Sequence, residues 1–389
     1  MPRAKKGSAR TFAHTSAKGA IHPSPDSCWS TEMANEATPV RILILGTGNM
    51  ARTHVTAFQS IPGVSVVAGV DQRGDVLADF CREYDIPNGF ATLEAAIAWG
   101  EFDAVANVTP DAAHHPTTLP LLKAGKHVLC EKPLATNAGD ATEMAEMARS
   151  MGLVGMVNLS YRNVAVLQEA ARLVAAGEIG ALRHFEASYL QSWLTQPAWG
   201  DWRTESQWLW RLSTEHGSKG VLGDVGIHIF DFATYAAGSP IRDLSCRLKT
   251  FHKAEGDRIG EYPLDANDSF TLQAELENGA LGTISATRFA SGHLNDLRLR
   301  LYGDKGGLEV LFEKQVETLR ICRDPDLKEA RWSELKAPPV QTVYERFVEA
   351  IQGNTTPEPD FDQGLRLQVA LDASEESHLQ NGRFLTLAS

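Results

Sequence analysis

One stretch constrains this chain more than any other: Val40-Arg41-Ile42-Leu43-Ile44-Leu45-Gly46-Thr47-Gly48-Asn49-Met50-Ala51, an apolar run that ends in G-x-G-x-x-A. The run is too short to span a membrane. Because it lacks apolar/polar alternation, it reads as a parallel strand covered on both faces. Helix-compatible residues, Ala51 to Ser60, follow. In that setting Gly46 permits the tight turn, Gly48 lets the backbone approach a pyrophosphate, and Ala51 takes the third small position. Thr47, Asn49 and Met50 complete the turn, and the free N–H groups of the next helix face the phosphates.

A second apolar run, Val64 to Val70, ends in Asp71, 20 residues after Ala51. A dinucleotide fold places an acid there on the adenosine ribose. A carboxylate accepts from both ribose hydroxyls and repels a 2′-phosphate, so NAD is the expected cofactor. Arg73, two residues on, can pair with such a phosphate, which leaves NADP open.

The following segments alternate. Helices are predicted at Val76 to Tyr84, Leu93 to Trp99, Ala113 to Ala124 and Ala138 to Arg149, and strands at Asp103 to Thr109, His127 to Lys132 and Leu153 to Leu159. This alternation means right-handed crossovers and an N-terminal Rossmann domain, a doubly wound parallel sheet, over 39–160. From about residue 180 the period changes to two, at Leu182 to Trp193, Leu244 to Phe251, Ser269 to Leu276, Leu281 to Phe289, Leu297 to Tyr302 and Gly307 to Phe312, with turns such as Glu277-Asn278-Gly279. The class is therefore α/β, with a C-terminal α+β domain (161–389) on an open, mainly antiparallel sheet. Tyr344 to Gln352 and Gln363 to Leu379 read as surface helices, able to pack back on the first domain.

Composition narrows the class further. A formal net charge of −12 recommends neither a nucleic acid nor an anionic membrane as partner. The five cysteines, Cys28, Cys81, Cys130, Cys246 and Cys322, are odd in number and form no C-x-x-C pair. Reduced thiols, a cytoplasmic setting and no metal site are expected. Residues 1–38 carry Arg3, Lys5, Lys6, Arg10 and Lys18 before any acid and no apolar h-region. They read as a dispensable, disordered tail, or as an over-extended start with Met33 as initiator; a transit peptide also fits the composition.

Two further constellations can carry chemistry. Glu131-Lys132-Pro133 closes a predicted parallel strand, where such sheets bind ligands, and Lys132–Pro133 is a candidate cis bond. Read alone, Lys132 is better taken as an exposed loop lysine, as most lysines are. In Gly223-Asp224-Val225-Gly226-Ile227-His228, a helix puts Asp224 and His228 on one face, where a carboxylate fixes an imidazole tautomer. Read alone, the pair is better taken as a capping aspartate and a core histidine.

Gly46 to Ala51, Thr109-Pro110 with His114, Glu131-Lys132-Pro133, Trp210-Arg211 and Asp224-x-Gly226-x-His228 occur in the order of the glucose–fructose oxidoreductase / inositol dehydrogenase family, which the chain resembles over about residues 40 to 389. Where that family often has three glycines, this chain has Ser218-Lys219-Gly220. The resemblance implies hydride transfer between a nicotinamide and a carbon bearing a hydroxyl, on a sugar, anhydrosugar or cyclitol. Its cofactor residues map onto Gly46, Thr47, Gly48, Asn49, Met50, Asp71, Arg73, Thr109, Pro110, His114, Glu131 and Lys132. The implied catalytic set is Lys132, which stabilises developing alkoxide, and His228, the base, oriented by Asp224; which of Lys132 and His228 takes the proton differs within the family.

Substrate candidates are Tyr161, Arg162, Trp202, Arg203, Trp210 and Arg211. Five of the eight tryptophans fall between Trp193 and Trp210. Indoles stack on sugar C–H faces, but they also seal cores and subunit interfaces. The resemblance further implies a homodimer or homotetramer. Two rivals stay open: a non-catalytic NAD(P)-sensing regulator and an NAD-dependent glycoside hydrolase.

Overall fold

The computed structural model describes residues 39–197 and 199–387. The expectations for 1–38 and Cys28 lie outside the described residues. The first lobe alternates as the sequence predicts: β1 (Val40–Leu45), α1 (Asn49–Gln59), β2 (Val64–Val70), α2 (Gly74–Glu83), β3 (Asn88–Phe90), α3 (Leu93–Trp99), β4 (Ala104–Asn107), α4 (Asp111–Lys123), β5 (His127–Cys130), α5 (Ala138–Ser150) and β6 (Gly155–Val157). All pairings are parallel, in the order β3-β2-β1-β4-β5-β6. The order reverses between β1 and β4, and a ligand crevice opens outside the strand ends at such a reversal. Every β1 residue except Arg41 is buried, as helices on both sheet faces demand.

The second lobe contains α6 (Ala165–Ala175), β7 (Leu182–Leu190), α7 (Ser206–Leu209), α8 (Ile227–Ala237), β8 (Ile241–Lys249), the short ribbon of β9 (Arg258–Ile259) and β10 (Tyr262–Pro263), and then β11 (Ser269–Leu276), β12 (Leu281–Thr287), β13 (Asp296–Gly303), β14 (Gly306–Glu313), β15 (Val316–Arg323) and β16 (Ser333–Leu335). The chain ends with α9 (Val343–Ile351), α10 (Phe361–Leu379) and β17 (Leu385–Thr386). Nine strands form one sheet, β16-β15-β14-β13-β7-β12-β11-β8-β17, antiparallel except where β12 runs beside β7. The predicted turn at Glu277-Asn278-Gly279 joins β11 to β12, with Gly279 at φ +84°.

Besides the short elements β3, α7, β9, β10, β16 and β17, two longer ones escaped the sequence reading. Helix α6 buries Val166, Leu167, Ala170 and Leu173, a helical spacing hidden in an alanine-rich run. Strand β15 is the other.

The two C-terminal helices each bury one face against the first lobe. Helix α9 starts with a capping box, Thr342 with Glu345, and sets Tyr344 and Phe347 against Phe58 of α1 at ring distances of 5.2 and 6.2 Å. Burying a side chain such as Phe347 contributes roughly 1.5–3 kcal/mol. Helix α10 passes so close to the first lobe that a Cβ at Gly364 would lie 2.7 Å from Val157. Among the described residues no helix is long and apolar enough to cross a membrane.

Candidate active site

At the end of β1 the chain turns through Gly46, whose φ is +86° and whose added Cβ would meet the Val108 carbonyl at 2.8 Å. A Cβ at Gly48 would meet nothing within 4 Å, so that approach stays open on the outer side of the turn. Helix α1 begins at Asn49 without a side-chain cap, leaving its first N–H groups for a ligand. This is the cradle a pyrophosphate requires.

Asp71, just past β2, accepts from the Thr47 N–H (3.0 Å) and hydroxyl (2.9 Å), and from the Arg73 N–H (2.9 Å), Nε (3.0 Å) and Nη2 (2.9 Å). Arg73 foremost holds this carboxyl well below the usual range. Gly46 to Met50, Asp71, Arg73, Thr109 and Pro110 all line one cavity of about 1130 Å³.

Three of the residues assigned to the cofactor, His114, Glu131 and Lys132, do not line that cavity. His114 is buried, with its ring nitrogens 2.7 Å from the Pro133 carbonyl and 2.9 Å from the Thr109 carbonyl. It ties the two loops together. The Glu131 side chain turns inward, where Oε1 accepts from His54 Nε2 (2.8 Å) and Asn158 Nδ2 (2.7 Å), and Oε2 accepts the Lys132 N–H (3.1 Å). Burial pushes the Glu131 carboxyl up, but His54, Asn158 and Lys132 outweigh it and hold the group at about 2. A readable signal existed: the buried face of α1 is Ala51, His54, Val55 and Phe58, and a histidine inside an apolar stripe demands a partner.

Lys132 follows β5 and precedes a cis bond to Pro133. Its Nζ donates to the Asp224 backbone carbonyl at 3.0 Å and lies 3.8 Å from Asp224 Oδ1. Asp224 sits in a π-helical turn, Leu222–Gly226, that precedes α8; such turns recur at functional sites because they displace backbone groups from the regular ladder. Its Oδ2 accepts from Arg288 Nη2 at 3.0 Å. Arg288, wholly buried after β12, also donates to the Arg211 carbonyl at 3.0 Å and lies over the Trp193 ring at 5.0 Å. No local pattern in the sequence marks Arg288. Desolvation raises the Asp224 carboxyl, yet Lys132, Arg288 and Arg211 hold it at about 2.

The predicted pairing of Asp224 with His228 is not what the fold builds, since the wide turn hands the carboxylate to Arg288 and Lys132. His228 packs edge-on against Tyr161, with ring centres 5.1 Å apart, and makes no hydrogen bond among the described residues. Burial first, and the Lys132 ammonium second, push the imidazole down to about 3.

The substrate candidates divide. Tyr161 faces His228, and its hydroxyl meets that of Tyr189 at 2.5 Å. Trp210 is 40% exposed and lines the cavity. Arg211 lies over Trp208 and Trp210, and its Nη1 donates to the Gln207 carbonyl at 2.7 Å.

Arg162 is not a substrate group: it is buried in ion pairs with Asp231 (2.6 Å) and Glu358 (2.9 Å). Trp202 is buried with Trp193, Leu209, Leu212 and Leu264 in a small satellite core, against which Trp199 and Trp208 pack. Arg203 covers Trp202 from outside, 4.6 Å from its ring. Most of the tryptophan cluster therefore stabilises the loop between β7 and α8, and only Trp210 opens to the cavity. Among the described residues no group of three His, Cys, Asp or Glu could hold a metal ion.

Residues 40–159 match the oxidoreductase family NAD-binding Rossmann fold, and residues 167–309 match the GFO/IDH/MocA C-terminal domain. Levoglucosan dehydrogenase of Pseudarthrobacter phenanthrenivorans is 26% identical over 300 residues, 70% of this chain and 74% of that protein. The scyllo-inositol 2-dehydrogenase (NAD(+)) of Bacillus subtilis is 24% identical over 345 residues, 86% of this chain and 93% of that protein. Among solved structures, an oxidoreductase domain protein from Kribbella flavida superimposes with a TM-score of 0.79 at 28% identity, over 90% of this chain and 100% of that one. Levoglucosan dehydrogenase in complex with NADH and levoglucosan shares the fold, with a TM-score of 0.78 at 22% identity over 90% of this chain and 100% of that one.

Proposed function

Because the chain belongs to the GFO/IDH/MocA oxidoreductase family and carries its NAD-binding Rossmann domain, we propose that it is a dehydrogenase acting on a secondary hydroxyl of a sugar, anhydrosugar or cyclitol. The observation that carries this reading is the Lys132 ammonium, next in sequence to the cavity-lining Pro133, held 3.0 Å from the Asp224 carbonyl, with a His228 that makes no hydrogen bond among the described residues. When bound, the nicotinamide accepts the hydride.

Lys132 donates to the reacting oxygen and stabilises the alkoxide as it develops. His228 is neutral near pH 7, because burial and Lys132 push it down to about 3, and its free nitrogen is the proton acceptor. As the hydride leaves, the O–H bond becomes far more acidic than that of a resting alcohol, so the proton passes to His228 in the same step while Lys132 holds the partial negative charge left on the oxygen. A base of this strength then suffices. Asp224 holds Lys132 and Arg288 in place rather than orienting the imidazole.

The substrate class is supported by the sugar and cyclitol dehydrogenases among the relatives and by Trp210, whose open face suits the C–H side of a ring. A carboxylate-rich cavity lining, with Asp71, Glu94, Asp111, Asp372 and Glu375, favours a neutral polyol.

A homo-oligomer paired through the open sheet face is what the family resemblance implies. Light scattering of the purified protein decides the oligomeric state.

The test of function is a panel of levoglucosan, glucose, methyl glucosides and inositols with NAD and with NADP, read at the nicotinamide absorbance band. Turnover with at least one member is expected. Hydrolysis of a glucoside without net reduced cofactor favours the glycoside hydrolase, and cofactor binding without any turnover favours the regulator.

A further inference from the structure

Ser218-Lys219-Gly220, where the resembling chains often carry glycines, places a charged side chain in the wall of the cofactor cavity. The same wall includes Gly46 to Met50 from the first lobe and Trp210, His216, Gly217 and Gly223 from the second. The loop backbone is fixed. The Lys219 carbonyl accepts from Asn267 Nδ2 at 3.1 Å, while Asn267 accepts the N–H groups of Val221 (2.8 Å) and Leu222 (3.0 Å) through its carbonyl and side-chain oxygens. Gly220 turns at φ +66°, and Gly223 leaves room for the lysine stem, since a Cβ there would come within 2.2 Å of the Lys219 Cβ. The ammonium itself has no hydrogen bond or ion pair among the described residues, so a rigid stem carries a free charged head.

Charge decides what that head is for. The cavity lining holds five carboxylates, Asp71, Glu94, Asp111, Asp372 and Glu375, against two cations, Arg73 and Lys219. Arg73 is paired at 2.9 Å with Asp71, the residue expected at the adenosine ribose. A dinucleotide brings a diphosphate with two negative charges to the Gly46–Met50 turn. The helix end there offers only about half a positive charge and its N–H groups. Acidic walls around a buried diphosphate disfavour binding unless a mobile cation compensates. An anionic substrate would meet the same carboxylates, which argues against a substrate carboxylate or phosphate as the lysine's partner.

We propose that the Lys219 ammonium, supplied by the second lobe, binds the cofactor diphosphate held at the Gly46–Met50 turn of the first. The contact closes the crevice around the dinucleotide with a charge-assisted hydrogen bond.

The test is a fluorescence titration of full-length wild type, Lys219→Ala and Lys219→Arg with NADH and with ADP-ribose, at low and at high salt. Lys219→Ala is expected to weaken both ligands about tenfold at low salt, the scale of one charge-assisted bond, and to lose most of that difference at high salt through screening. Lys219→Arg is expected to stay within about threefold of wild type, because it keeps the charge. The proposal is overturned if Lys219→Ala binds NADH within twofold of wild type, if the loss is the same at both salt concentrations, or if ADP-ribose is unaffected. Because Lys219 is solvent-exposed, the alanine variant keeps the fold, and an unchanged melting temperature checks it.

Discussion

The Nζ of Lys132 donates to the backbone carbonyl of Asp224 at 3.0 Å, joining the end of a first-lobe strand to a π-turn of the second lobe. The lysine is thus aimed by main chain, which a side-chain substitution at Asp224 leaves in place. Lys132→Met and His228→Ala are each expected to lower kcat at least ~10²-fold, the scale of general acid–base catalysis, while NADH affinity changes little. Asp224→Asn, which keeps the carbonyl, is expected to retain more activity than either. Steady-state kinetics with the best substrate of the panel checks all three, and near wild-type kcat for Lys132→Met would refute its assignment.

Arg288 supplies the opposite hold on Asp224. It is wholly buried, and Asp224 is a third exposed on its side chain, so water screens only one end of the pair. Arg288→Met removes the counter-charge and the bond to the Arg211 carbonyl together. The expected cost is about 2–4 kcal/mol in a urea unfolding experiment, toward the lower end of what breaking a buried pair costs because Asp224 is partly wet. Adding Asp224→Asn should cost less than the sum of the two single changes, since both act on one interaction.

Acid stability carries a second signature. The His228 imidazole is depressed from 6.5 to about 3 in the folded chain, so below pH 6.5 the unfolded chain takes up a proton that the folded one refuses. Stability therefore falls as pH drops from about 6.5 toward 3. Glu131 and Asp224 are also depressed, to about 2, and their contributions fade only below about pH 4.5. Melting temperatures of wild type and His228→Gln between pH 7 and 5 should converge as pH falls, and parallel curves would show that His228 is not depressed. His127, also depressed by burial, contributes equally to both proteins and cancels from the comparison.

Under the Lys132 turn, His54 gives the Glu131 carboxylate a donor from α1. His54→Leu leaves that carboxylate short of a partner in a buried place, which costs about 2–3 kcal/mol. His54→Gln, whose amide can still donate, should recover most of it. Equal losses for both variants, measured by chemical unfolding, would mean that the imidazole acts by packing alone.

The parallel sheet was readable because period and punctuation agree there: Val40 to Ala51, Asp71 and the cis-prone Lys132–Pro133 are all local patterns. The antiparallel strands were readable for the same reason, through their alternation. What local patterns cannot carry is partner choice across the chain. Arg162 sits one residue from Tyr161, which packs on His228, yet Asp231 and Glu358, distant in sequence, claim it. Asp224 and His228 have helical spacing, yet one π-turn gives the carboxylate to Arg288 instead. Trp202 resembles a sugar platform in composition, and only the satellite core explains its burial.

Cofactor choice rests on a competition visible in the structure. The Asp71 carboxylate accepts three bonds from Arg73 and two from Thr47, so a ribose diol must displace part of the Arg73 contact to bind. The Arg73 side chain is largely exposed and free to swing, whereas Asp71 is buried. An NAD ribose therefore gains the carboxylate while Arg73 moves aside. For NADP the same carboxylate faces the 2′-phosphate, and Arg73 must abandon one anion for the other. Asp71→Ser removes the repulsion and releases Arg73, and is expected to shift the NADP-to-NAD ratio of kcat/KM by about 10²-fold or more, two charge-assisted bonds' worth. Arg73→Ala is expected to work the other way, improving NAD modestly and abolishing residual NADP use. Kinetics of both variants with the two cofactors checks this, and an unchanged ratio in Asp71→Ser would place the choice elsewhere.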